Sequence, residues 1–136
     1  VTLKEYSKYH SPVGNQLFSG DLEKPANPLI SRKLSRREIQ AYSSYSRLDF
    51  PIHFWRTKSG QEVDFVLGNG EVAIEVKGQQ LVDNKELKSL AAFIEENHPK
   101  KAIIISNESE ARRVGPISVL PWRAFLEKLW AGEIVS

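Results

Sequence analysis

The tripeptide Gly68-Asn69-Gly70 constrains this chain more than any other feature, because it joins two strand-like runs. Glycine accepts the positive φ angles of a tight turn, so Gly-Asn-Gly between apolar-alternating segments reads as a β-hairpin. The runs are Gln61 to Leu67 and Glu71 to Lys77. Both carry acids where a strand would carry apolar residues. Side chains two apart share one face of a strand. Glu62 and Asp64 are therefore paired on one run, and Glu75 and Lys77 on the other. The hairpin is expected to gather three carboxylates and one ammonium on one side.

The surrounding pattern places this hairpin in a larger sheet. Ile52 to Thr57 reads as the strand before it, rich in aromatic and β-branched residues. Asp83-Asn84 precedes a helix in which Leu87, Leu90, Ala91 and Ile94 share a face. Lys101 to Ser106 (KAIIIS) is nearly all apolar, as in a strand covered on both faces. Ile117 to Leu120 is a short final strand, and Pro121 opens a last helix. Upstream, Ser31 to Tyr45 has helical spacing, with Ser35 and Glu38 placed as a capping box. Residues 1–30, with several prolines and glycines, read as a poorly defined lead-in to one domain over 31–136. The order predicts an α/β fold with a mixed sheet. The helix between the third and fourth strands permits a parallel crossover.

Composition narrows the chemistry. The chain has 136 residues, 40% apolar, and a net charge of +2. That balance lacks the large positive excess of a protein held to nucleic acid by charge alone, so such contacts must come from local patches. The absence of cysteine excludes disulfides, thiolate metal sites and a cysteine nucleophile. His10, His53 and His98 have no zinc-ligand spacing, and no serine elbow is present. No apolar run reaches membrane-spanning length. A polar start without methionine suggests a piece of a longer, cytoplasmic protein.

Two readings of the acids stand side by side. They are charges on the solvated face of a hairpin, or they form a site for a divalent cation. In the second reading Asp64 and Glu75 hold Mg²⁺, or Mn²⁺, which prefers carboxylate oxygen and water. The metal lowers the pKa of a bound water beside a phosphate, and Lys77 orients that water or stabilises the transition state. Context favours the second reading, since VAIEVK is an apolar strand beside the buried KAIIIS run. A charge on a central strand is costly unless paired or metal-bound.

GQEVDFVL followed by VAIEVK resembles the core of the PD-(D/E)XK nuclease superfamily, with Asp64 as the first acid and Glu75-Val76-Lys77 as the (D/E)-X-K. FWRTKSGQEVDFVL through VAIEVKG to ISVLPWRAFLEKL is similar to the nuclease-like domain of unknown function at the C-terminus of bacterial and archaeal AAA-type ATPases. The resemblance covers about residues 52–130. It implies a restriction-endonuclease-like core and a Mg²⁺-dependent activity on DNA phosphodiesters. Asp64, Glu75 and Lys77 are then catalytic, with Glu62 as an extra carboxylate. Glu38 corresponds to a metal-binding acid on the first helix, and Gln80 to a polar helper after the strand. Arg56 and Lys58 precede the acids and are placed to meet nucleic acid. The implied partners are DNA and the ATPase domain of the same chain, with self-association open. No Gly-Lys-Ser/Thr loop occurs, so the motor is not in this sequence. The alternative is a catalytically inactive accessory module that binds nucleic acid or protein. A salt bridge from Lys77 to either acid, with no room for a cation, would favour it.

Overall fold

The computed structural model describes residues 28–78 and 81–136. Helix α1 (Pro28–Tyr45) is followed by strands β1 (Ile52–Arg56), β2 (Glu62–Leu67) and β3 (Val72–Val76). A short 3₁₀ helix (Asn84–Leu87) runs into α2 (Lys88–Asn97). Strands β4 (Lys101–Ser106), β5 (Arg112–Val114) and β6 (Ile117–Pro121) and helix α3 (Trp122–Trp130) complete the order.

The six strands lie in the order β1-β2-β3-β4-β6-β5. β1, β2 and β3 form an antiparallel meander, with Gly68 and Gly70 at positive φ in the β2–β3 turn. β3 and β4 pair in parallel, as the intervening helix permits, and β4 also pairs in parallel with β6. The mixed α/β architecture expected from the sequence is the one observed.

The alternation of strand side chains divides the core into two layers. Val72, Ile74 and Val76 of β3 and Ile103 and Ile105 of β4 meet Ile39 and Tyr42 of α1 and Phe125, Leu129 and Trp130 of α3. Ala73, Ala102 and Ile104 face the other way, onto Leu87, Leu90 and Phe93 of the 3₁₀–α2 segment. β3 is buried along all five residues, because both its neighbours and both layers cover it. Burial of one such aliphatic or phenyl side chain contributes about 1.5–3 kcal/mol.

Several local expectations are corrected. The helix begins at Pro28, not at Ser31, and proline suits a first helical position. Ser35 is therefore a buried residue inside α1 rather than its cap. In α2, Phe93 takes the buried place expected of Ala91 and meets Trp55 edge-on at 5.3 Å. Strand β5 is additional. It turns back through Gly115, at positive φ, to pair antiparallel with β6. The lead-in, apart from 28–30, lies outside the described residues.

Candidate functional site

The β2–β3 ladder runs through Leu67–Val72, Val66–Ala73 and Phe65–Ile74 and then stops. Near the same place β2 bulges against β1, where the register shifts between His53 and Trp55. A bulge re-aims the next side chain. Here that side chain is Asp64, whose Oδ2 accepts the backbone N–H of Val76 at 2.8 Å. Its Oδ1 lies 3.1 Å from the Nε of Arg32 on α1. Asp64 thus sits where two strands part, held by one amide and one guanidinium.

Glu75 lies on the same strand face as Ala73, opposite Ile104 in the parallel pairing with β4. It is only 4% exposed. Its Oε2 is buried with no hydrogen-bond partner among the described residues, and its Oε1 stands 3.7 Å from the Nζ of Lys77. Burial in an apolar layer pushes its pKa up from 4.5 to about 7; Lys77 opposes that shift, and Asp64 and Glu86 add to it.

Lys77 follows the end of β3 and extends its pairing, donating its backbone N–H to the carbonyl of Ile105 at 2.9 Å. Its ammonium is shared between Glu75 and Glu86, with Glu86 Oε2 at 3.4 Å. Glu86 belongs to the 3₁₀ helix, where Asp83 caps the turn by accepting the Glu86 N–H at 3.1 Å. The signal for Glu86 was present in Asp83-Asn84-Lys85-Glu86, a helix start just after the end of β3. Only the crossover shows that its first turn returns to Lys77.

The other sequence candidates lie elsewhere or bond elsewhere. Glu62 is exposed and pairs with Arg56 across β1–β2 at 2.8 Å, so the expected triple-acid face of the hairpin does not form. The acid that joins Glu75 at the Lys77 ammonium is Glu86. Arg56 is thereby engaged, and Lys58 is exposed in the β1–β2 turn. Glu38 on α1 accepts from the indole of Trp130 at 3.0 Å. Gln80 lies outside the described residues. Among the described residues, no three histidine or acidic side chains form a group that would hold a metal by themselves.

A second polar cluster fixes the segment that carries Glu86. Arg112 on β5 forks onto the buried Glu108 at 2.7 and 2.9 Å and donates to the Val82 carbonyl at 2.6 Å. Glu108 Oε2 accepts the Val82 N–H at 2.9 Å, and Asn107 donates to the Gly78 carbonyl at 2.7 Å. The Arg112 guanidinium holds the Glu108 carboxyl below the usual carboxylate range. No helix among the described residues is long and apolar enough to cross a membrane.

Residues 36–125 match the family model described as a domain of unknown function (DUF4143), and the chain belongs to that family. No curated protein and no solved structure matches it.

Proposed function

We propose that this domain is a metal-dependent nuclease-like unit acting on DNA phosphodiesters, with Asp64 and Glu75 as the metal-holding acids and Lys77 beside the reacting phosphate. The observation that carries the reading is the buried Glu75 Oε2, which has no hydrogen-bond partner among the described residues. An unsatisfied carboxylate oxygen on a central strand is costly to keep. A hard cation would satisfy it.

The donor set suits Mg²⁺ or Mn²⁺. Mg²⁺ is commonly held by one or two carboxylates, with waters and substrate phosphate filling the other positions. Asp64 and Glu75 offer two such groups, and their mutual repulsion is relieved by positive charge. Once bound, the metal would lower the pKa of a coordinated water and neutralise phosphate charge. Lys77, tethered between Glu75 and Glu86, holds its ammonium at the edge of this site, where a phosphate oxygen or attacking water would meet it. Arg32 balances Asp64 from α1. In this reading the domain is the C-terminal part of a larger chain with an AAA-type ATPase.

Cleavage of supercoiled and linear DNA with Mg²⁺ or Mn²⁺ tests it. Activity that disappears in Asp64→Asn, Glu75→Gln and Lys77→Ala is expected. Cleavage that survives both Asp64→Asn and Lys77→Ala rejects the assignment.

A second reading has its own support. Lys77 already bridges Glu75 and Glu86, and Arg32 already neutralises Asp64. A charge-compensated site of this kind fits an inactive accessory module of an ATPase, binding nucleic acid or protein. Calorimetric titration with Mn²⁺ separates the two. Binding that vanishes in the Asp64→Asn, Glu75→Gln double variant speaks for the metal site, and no binding at all speaks for the module.

A further inference from the structure

Next to Asp64 lies a groove of about 350 Å³, lined by Arg36, Ile52, His53, Phe54 and Asp64. Its size falls at the low end of small-ligand sites, about 300–1,000 Å³. Its chemistry differs from that of the acid cluster. Phe54 is 73% exposed, although it is a phenyl ring in the middle of a strand. By strand alternation it shares a face with Ile52, which packs against the α1–α3 layer. Phe54 therefore carries that apolar face outward onto a bare part of the edge strand β1.

The α1 side of the groove is cationic, with Arg36 in its lining beside Phe54. Arg32, Lys33, Arg36 and Arg37 are all exposed on α1. Arg32 and Arg36 are one turn apart and so share a helix face. Arg32 reaches Asp64 and Arg36 lines the groove, so this face borders the candidate site. A cationic helix face beside a presented aromatic ring is the pairing by which proteins track a phosphate backbone and stack an unpaired base. A base within a duplex has both faces covered by its neighbours and cannot use such a ring.

We propose that this groove binds an unpaired nucleotide of a nucleic-acid strand, its base stacked on Phe54 and its phosphate met by Arg36. The proposal rests on the phosphodiester reading of the adjacent acids and adds a substrate class to it: single-stranded or frayed nucleic acid, delivered with a backbone phosphate toward Asp64. Arg56 contributes little here because Glu62 holds it.

Fluorescence anisotropy of the 136-residue chain with labelled oligonucleotides tests this, in EDTA so that binding is read without cleavage. A single-stranded oligothymidine is expected to bind more tightly than a duplex. Phe54→Ala should weaken single-strand binding about tenfold, the worth of one stacked base, while Phe54→Trp retains it. Arg36→Ala should weaken binding and lower the salt slope by about one. Because Phe54 is exposed, circular dichroism of Phe54→Ala should match that of the parent. Unchanged single-strand affinity in Phe54→Ala overturns the proposal, as does duplex binding equal to single-strand binding. A labelled acidic peptide that binds through Phe54, with no oligonucleotide binding, overturns it in favour of a protein partner. The two readings fail separately. Metal-dependent cleavage lost in Asp64→Asn but indifferent to Phe54 removes only the groove. Phe54-dependent strand binding without any cleavage removes only the nuclease assignment.

Discussion

The carboxylate of Asp64 replaces a strand rung for Val76: its Oδ2 accepts the Val76 N–H at 2.8 Å where the β2–β3 ladder has ended. A candidate metal ligand is therefore also a structural acceptor. Asp64→Ala orphans a buried strand amide and leaves Arg32 without its partner. The loss should be about 1–3 kcal/mol, read by urea unfolding. Asp64→Asn keeps an acceptor oxygen and should lose distinctly less. Equal stability of the two variants would mean that the Val76 bond contributes nothing. The same contrast makes the asparagine variant the proper probe of cleavage.

Glu75 gives the metal-free domain a specific pH dependence. Its pKa is raised in the folded state, from 4.5 to about 7. Below about pH 4.5 the group is protonated whether the chain is folded or not, and it costs nothing. Between about pH 4.5 and 7 the unfolded chain releases the proton while the folded chain keeps it, so its contribution to stability falls as pH rises. Above about pH 7 the penalty is complete, of order 3 kcal/mol. Glu75→Gln removes the titration. It should be the more stable protein at about pH 8, and thermal melts across the range should show its flatter profile. Parallel profiles for the two proteins would contradict the burial of an ionising carboxyl at this position.

Glu108 acts with the opposite sign. Its folded pKa is depressed by Arg112, so its contribution is present above the ordinary carboxylate range and lost on acidification. The two acids therefore act in adjoining windows, Glu75 between about pH 4.5 and 7 and Glu108 only below about pH 4.5. Arg112→Ala leaves the buried Glu108 without its cation and releases the Val82 carbonyl. Amide exchange at Val82 and Glu86 should accelerate, and the Lys77–Glu86 contact should loosen with it. Arg112→Lys should rescue only part of this, because an ammonium cannot fork onto both carboxylate oxygens. Unaltered exchange at Val82 would show that Arg112 does not anchor this segment.

The hairpin, the buried β4 run and the parallel crossover were legible because each rests on local chemistry: glycines at a turn, strand alternation, and a helix between two strands. Glu75 and Lys77 were legible by parity along one strand. Glu86 was not, because its approach to Lys77 depends on how the chain returns after β3, which no local pattern encodes. Glu62 was over-read for a related reason. The bulge in β2 and the cross-strand Arg56 gave it a surface partner instead of a place beside Asp64. Strand β5 escaped because Arg112-Arg113-Val114 has almost no apolar signature, and its edge position needs none.

Metal binding should carry the imprint of the Glu75 proton. A cation needs the carboxylate form, so it must displace whatever proton the buried group retains. Near pH 8 Glu75 is largely ionised and Mg²⁺ or Mn²⁺ should raise the melting temperature; near pH 5.5 it is largely protonated and the same metal should raise it much less. The direction is diagnostic, because a metal held away from Glu75 would not have to displace that proton. Glu38→Gln supplies the control. Its oxygen can still accept from Trp130, so the fold is kept, and the metal-induced shift should remain. A shift abolished in Glu38→Gln would move a ligand onto α1. A shift equal at both pH values in the parent would remove Glu75 from the metal site.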